Sequence, residues 1–149
     1  MLGDNQARIM GVSLLDGQSD EKITMVEPGQ LVKLCLKIRA NDDIELPIVG
    51  FSINDRLGNT IAQSNSYVLE EMISEMLEEK VYGFVFEFPF PTLNHGQYSI
   101  SPAVASGSQE EHVQHSWVHD ALVIQVPPVQ KHQLDGLLVM DDVKFYSLD

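Results

Sequence analysis

Apolar and polar residues alternate with a period of two in several short runs, most clearly in Leu31–Arg39. Val32, Leu34, Leu36 and Ile38 share one face of that run; Lys33, Cys35, Lys37 and Arg39 share the other. A strand with one face in a core and one in water reads this way. Similar runs recur at roughly even spacing: Ala7–Leu15, Leu31–Ala40, Leu46–Asp55, Thr60–Ser64, Val81–Phe90, Gln97–Ala105 and Trp117–Val126. After Pro127 and Pro128 one more follows, Gly136–Phe145. Gly, Pro and Asn turns separate the runs, Gly58-Asn59 among them. The pattern predicts an all-β chain folded as an immunoglobulin-like or jelly-roll antiparallel β-sandwich.

Residues 67–80 break the period. Leu69, Met72, Ile73, Met76 and Leu77 recur at helical spacing with Glu70, Glu71, Glu75, Glu78 and Glu79 between them. This predicts one short amphipathic helix across an open end of the sandwich, its glutamates a solvated face rather than a metal site. Pro127-Pro128 cannot pair inside a sheet and stiffens the exit from the main body. The chain thus divides into a body (1–126), a proline-containing arm (127–134) and a terminal strand (135–149).

Parity also predicts a surface. With Leu46–Asp55, Gln97–Ala105 and Trp117–Val126 in one sheet, their outward residues are Ser52, Asn54, Gln97, Ser99, Ser101, His119 and Gln125. Trp117 stands at the end nearest the His112–His115 loop. Small side chains leave a shallow trough, hydroxyls and amides supply donors and acceptors, and an aromatic rim can stack on a pyranose. That combination suits a neutral sugar. The alternative is a solvated sheet face with Trp117 as a core plug.

Composition narrows the partners. The 149 residues carry 22 acidic and 9 basic side chains, a net charge of −13, which repels phosphate backbones and anionic headgroups. Nucleic acid is therefore not expected as a partner. No apolar run reaches the roughly 20 residues of a membrane span, which predicts a soluble chain. The single cysteine, Cys35, cannot form an internal disulfide and favours a reducing compartment. No phosphate loop, dinucleotide fingerprint or nucleophile elbow is present. His112, His115 and His119 have the spacing of metal ligands on a helix, but here they enter a strand, where they do not converge. No metal or cofactor is expected.

An ordered set of elements resembles a known family. These are Gly3-Asp4 before Ala7-Arg8-Ile9, Glu27-Pro28-Gly29-Gln30, Leu46-Pro47-Ile48-Val49-Gly50-Phe51, and Asp55-Arg56-Leu57-Gly58-Asn59. Gly96-Gln97-Tyr98, Asp120-Ala121-Leu122 and Gln125-Val126 follow. In this order they resemble the C-terminal domain of Wzt-type ATP-binding subunits of O-antigen polysaccharide ABC transporters. The resemblance implies an isolated C-terminal domain beginning at Met1, without the family's nucleotide-binding domain and without ATP hydrolysis. It implies recognition of O-antigen polysaccharide, at a modified non-reducing end, for export. The implied partners are the nucleotide-binding and transmembrane subunits, and the implied location is cytoplasmic, peripheral to the inner membrane. It also implies a homodimer that exchanges its C-terminal strands, for which the stiff Pro127-Pro128 arm is suited.

The site expected from these readings is Ser52, Asn54, Gln97, Ser99, Ser101 and Gln125, with His115, Trp117 and His119 at the rim. An anionic cap on the sugar would need a cation such as His115 or the Lys33–Lys37–Arg39 stripe. Two other classes compete: a protein-interaction module with no sugar site, and a metal-dependent enzyme built on the His112–His119 region.

Overall fold

The computed structural model describes residues 4–107, 112–128, 134–140 and 142–148, and among these it contains eight strands and no helix. They are β1 (Ala7–Asp16), β2 (Leu31–Ala40), β3 (Pro47–Asn54), β4 (Thr60–Asn65), β5 (Val81–Pro89), β6 (Gly96–Gly107), β7 (His112–Trp117) and β8 (Leu122–Val126). One sheet has the order β1-β2-β5; the other has the order β4-β3-β6-β7, with β8 also pairing β6. All these pairings are antiparallel. At 12 residues, β6 is long enough to pair β8 along Gly96–Ile100 and β7 along Ala103–Gly107.

The core lies between the sheets and follows the alternation of the sequence. Val32, Leu34, Leu36 and Ile38 of β2 are at most 3 % exposed, and Val49, Ile53, Ile100 and Val104 join them from the second sheet. Each such side chain contributes about 1.5–3 kcal/mol by leaving water. Phe51 bridges the layers, its ring 4.9 Å from Phe86 and 5.2 Å from Phe88. Local polar contacts close the turns. Between β3 and β4 the Asp55 carboxylate accepts from the N–H groups of Leu57 (3.0 Å) and Asn59 (2.8 Å), while Gly58 takes φ 88°. After β1, the Asp16 carboxylate accepts from the Gln30 side chain and from the Ser19 and Gln18 N–H groups, which lowers its pKa to about 2.

Three expectations from the sequence are corrected. The helix over 67–80 does not form. Asn65 Oδ1 accepts from the Val68 N–H (2.8 Å) and starts a single turn, but Glu70 then adopts φ 58° and the chain extends. Met76 exchanges both backbone hydrogen bonds with Ile44 (2.8 and 3.0 Å) and is fully buried, whereas Met72 is 86 % exposed. Burial of one methionine in an extended bridge wins over a periodicity with no core to face. The run Trp117–Val126 is two strands, β7 and β8, broken by a turn at His119-Asp120 where Asp120 has φ 50°. In the run Gly136–Phe145 the described residues form no strand: they make the Leu138–Leu93 bridge, with the Asn94 N–H donating to the Leu137 carbonyl (2.7 Å) and the Val139 N–H to the Thr92 carbonyl (2.9 Å). Of the arm 127–134, residues 129–133 lie outside the described residues, as do 108–111 of the loop before β7.

Candidate functional site

The outward face of the five-stranded sheet carries a trough of about 320 Å³. Its floor is made of small residues in register: Gly50 opposite Ala103, Ser52 opposite Ser101, and Ala105 one step on. Gly50 is required here. A Cβ at this position would lie 2.7 Å from Asn65 Cβ and 2.9 Å from the Ser64 carbonyl, so its absence lets β4 close against β3. Thr60, Gln63 and Asn65 of β4 form one wall, and His112, Gln114 and Trp117 of β7 form the other. None of the described lining residues is Asp, Glu, Lys or Arg. In a chain of net charge −13 the trough is a polar, nearly charge-free strip.

A hydrogen-bond network underlies one end. Asn54, 4 % exposed, donates through Nδ2 to Ser101 Oγ (2.9 Å) and accepts at Oδ1 from Ser52 Oγ and Thr60 Oγ1 (both 3.1 Å). The Asp120 N–H also donates to Ser101 Oγ (3.0 Å), and Ser99 Oγ donates to the Asp120 carboxylate (2.6 Å). The β7–β8 corner therefore closes over this part of the face. Asn54, Ser99 and Ser101, all at most 7 % exposed, become supports rather than exposed contacts, and Asn54 holds the Ser52 and Thr60 hydroxyls in place.

Of the residues expected from parity, Ser52, Ser101 and Trp117 line the trough. His119 packs against Trp117 in a tilted arrangement, with ring centroids 4.2 Å apart and an interplanar angle of 41°. Gln97 and Gln125 meet side chain to side chain (3.3 Å) at the far end of the sheet, beyond the Asp120 corner and outside the trough.

His115 leaves the rim altogether. Ser116 pairs Val104 and Gln114 pairs Ala105, so His115 is an extra residue in β7, a bulge with no partner on β6. It is 3 % exposed, with Nδ1 2.9 Å from the Asp4 carboxylate and Nε2 2.7 Å from Ser106 Oγ. The Asn5 N–H donates to its carbonyl (3.1 Å), which ties the N-terminal segment to β7. Burial pushes the Asp4 carboxyl up, but hydrogen bonds from the Gln6 N–H and the His115 ring outweigh it and hold the pKa below the ordinary carboxylate value. The spacings resemble a Ser–His–Asp relay, yet His115 is buried and Ser106 lines neither cavity, so the arrangement works as a pin.

The same bulge brings in residues that parity does not find. It shifts the alternation by one, so Gln114 and His112 face the trough beside Trp117. Parity also leaves out Gln63 and Asn65, although the Gly58-Asn59 turn implies that their strand pairs with β3. A second cavity of about 560 Å³ adjoins the trough through Ile48 and is lined mainly by Leu46, Pro47, Tyr67, Met72 and Ile73. Among the described residues no group of three His, Cys, Asp or Glu side chains is placed to hold a metal ion. No helix among them is long and apolar enough to cross a membrane.

The two antiparallel sheets and the polar outer trough define a β-sandwich domain with a groove on one open face. The chain matches the family described as the Wzt C-terminal domain over residues 2–140, and it belongs to that family. A solved structure, the crystal structure of the C-terminal domain of Wzt, is similar in fold, with TM-score 0.82 and 19 % identity. The match covers 99 % of this chain and 87 % of that one. No curated protein matches the chain.

Proposed function

We propose that this chain is a non-catalytic carbohydrate-binding domain that recognises O-antigen polysaccharide, at a modified non-reducing end, for export by an ABC transporter. One observation carries the reading: a trough of neutral hydroxyls and amides over a Gly/Ala floor, edged by the only tryptophan, on a strongly acidic chain. The hydroxyls and amides match a sugar's own donors and acceptors, the small floor admits a flat ring, and Trp117 offers a stacking surface. Binding is by hydrogen bonds and stacking, with no covalent step and no ATP hydrolysis by this chain. Ser52, Gln114 and Trp117 make the direct contacts, with Asn54, Ser99 and the buried Ser101 as supports. Gln97, Gln125 and His119 extend the surface.

The partners in this reading are the nucleotide-binding and transmembrane subunits of the transporter, at the cytoplasmic side of the inner membrane. We further propose a homodimer formed by exchange of the C-terminal segment. Two uncovered surfaces support it. Phe84, Phe86 and Phe88 on edge strand β5 are only half-buried, and Leu138, Met140, Phe145 and Leu148 are 68–95 % exposed.

The test is a titration with O-polysaccharides of the source strain, intact and with trimmed non-reducing ends, read by Trp117 fluorescence and a label-free assay. Binding that is lost on trimming, and weakened about tenfold or more by Trp117→Ala in an otherwise folded protein, is the expected result. No binding to any of these polysaccharides would leave the interaction-module reading in its place. A mass of one chain by light scattering at micromolar concentration would remove the exchanged dimer.

A further inference from the structure

We propose that the outer face of the three-stranded sheet docks an acidic protein surface, and that Arg8, Lys37 and Arg39 are its anchors. The strand register sets the arrangement. Arg8 pairs Arg39 directly, and on the next outward rung Lys37 lies between Gly11 and Gly83. Neither glycine shields the lysine: a Cβ at Gly83 would meet nothing within 4 Å, and one at Gly11 only Lys37 Cβ. Three of the nine cations of a −13 chain thus share one patch.

Among the described residues the patch has no ion-pair partner. Lys33, on the same face, is neutralised by Asp20 at 2.8 Å. No carboxylate among the described residues forms an ion pair with Arg8, Lys37 or Arg39. Like charges directly opposite each other on neighbouring strands destabilise a sheet, so the Arg8–Arg39 pair is a cost that an anionic partner would reverse.

The surroundings select the kind of partner. Small-molecule sites are concave, and neither cavity described above lies on this face. Met10, Val81 and Val85 stand 46–59 % exposed around the cations, and apolar residues mixed with arginine are the composition of a protein interface. A bilayer is disfavoured because three cations do not offset a net charge of −13. The face lies on the opposite side of the sandwich from the trough, so both can be engaged at once, and docking here does not depend on sugar binding there.

The test places a photo-crosslinking residue at Val85 of the full chain in its cell of origin and maps the adduct by mass spectrometry. The expected result is an adduct with one protein at a segment rich in Asp and Glu. Its yield should fall about tenfold in an Arg8→Glu, Lys37→Glu, Arg39→Glu variant, with polysaccharide binding unchanged. An adduct to lipid or polysaccharide alone, no adduct, or an adduct indifferent to charge reversal would overturn the proposal. If the reversed variant fails to fold, the Arg8→Gln, Lys37→Gln, Arg39→Gln variant replaces it with the same criteria. Arg8→Thr alone should raise Tm by about 1–3 °C, because it removes the facing like charge; an unchanged or lower Tm would show that the facing arginines cost the fold nothing.

Discussion

Asn54 shows how one side chain can shape a binding surface without touching a ligand. Its amide satisfies three hydroxyls at once and is itself almost entirely buried. Removing it frees the Ser52 and Thr60 hydroxyls and takes one of two donors from the buried Ser101. Asn54→Ala should therefore cost about 1–3 kcal/mol, read as a lower urea midpoint at unchanged slope. The freed hydroxyls should also weaken polysaccharide binding. A loss below about 0.5 kcal/mol would mean that water takes over the network and that the hydroxyls are not held by it.

At the scale of elements, irregularities in the strands do the work that regular pairing cannot. The bulge at His115 turns Gln114 and His112 outward, and the Asp120 corner closes the face beyond Ser101. The segment after β4 is extended for a related reason: pairing of Met76 with Ile44 gives a side chain a place in the core. In the helix read from the sequence, Met72 and Met76 would share one face and matter alike. In the extended bridge they separate. Met76→Ala should cost about 2–5 kcal/mol, and Met72→Ala should stay within about 0.5 kcal/mol, both by denaturant unfolding. Equal losses at the two sites would restore the helix.

At the scale of the whole molecule, the two sheets divide the surface into faces of different character. The five-stranded sheet turns a neutral trough outward, and the three-stranded sheet turns a small basic patch outward, on a body of net charge −13. In the functional reading, one face holds the sugar and the other docks an acidic protein surface. Salt separates these roles. Raising NaCl from 50 to 300 mM should leave sugar affinity within about twofold and weaken protein docking several-fold. Sugar binding that falls as steeply as docking would place a charge in the trough that its described lining does not hold.

The alternation of Leu31–Arg39 and its neighbours is enough by itself to define the strands of the body up to Ala105, their inner and outer faces and the sandwich. That information is local: a side chain's face in a regular strand depends on parity alone. Ser52 and Ser101 are legible as trough residues for the same reason, since they lie on regular stretches of β3 and β6; Trp117 also lines the trough, although its side was read along a run that breaks at His119-Asp120. The rest is decided by pairing between distant segments. Whether β7 carries an extra residue at His115 depends on its register with β6 and on the Asp4 and Ser106 partners, none of which is near it in sequence except Ser106. Whether Trp117–Val126 is one strand or two depends on Ser99 and Ser101 receiving the Asp120 turn. A one-residue slip reverses every face beyond it, so parity finds the sheet and its core, while the bulge and the corner, set by tertiary contacts, choose which polar residues line the trough.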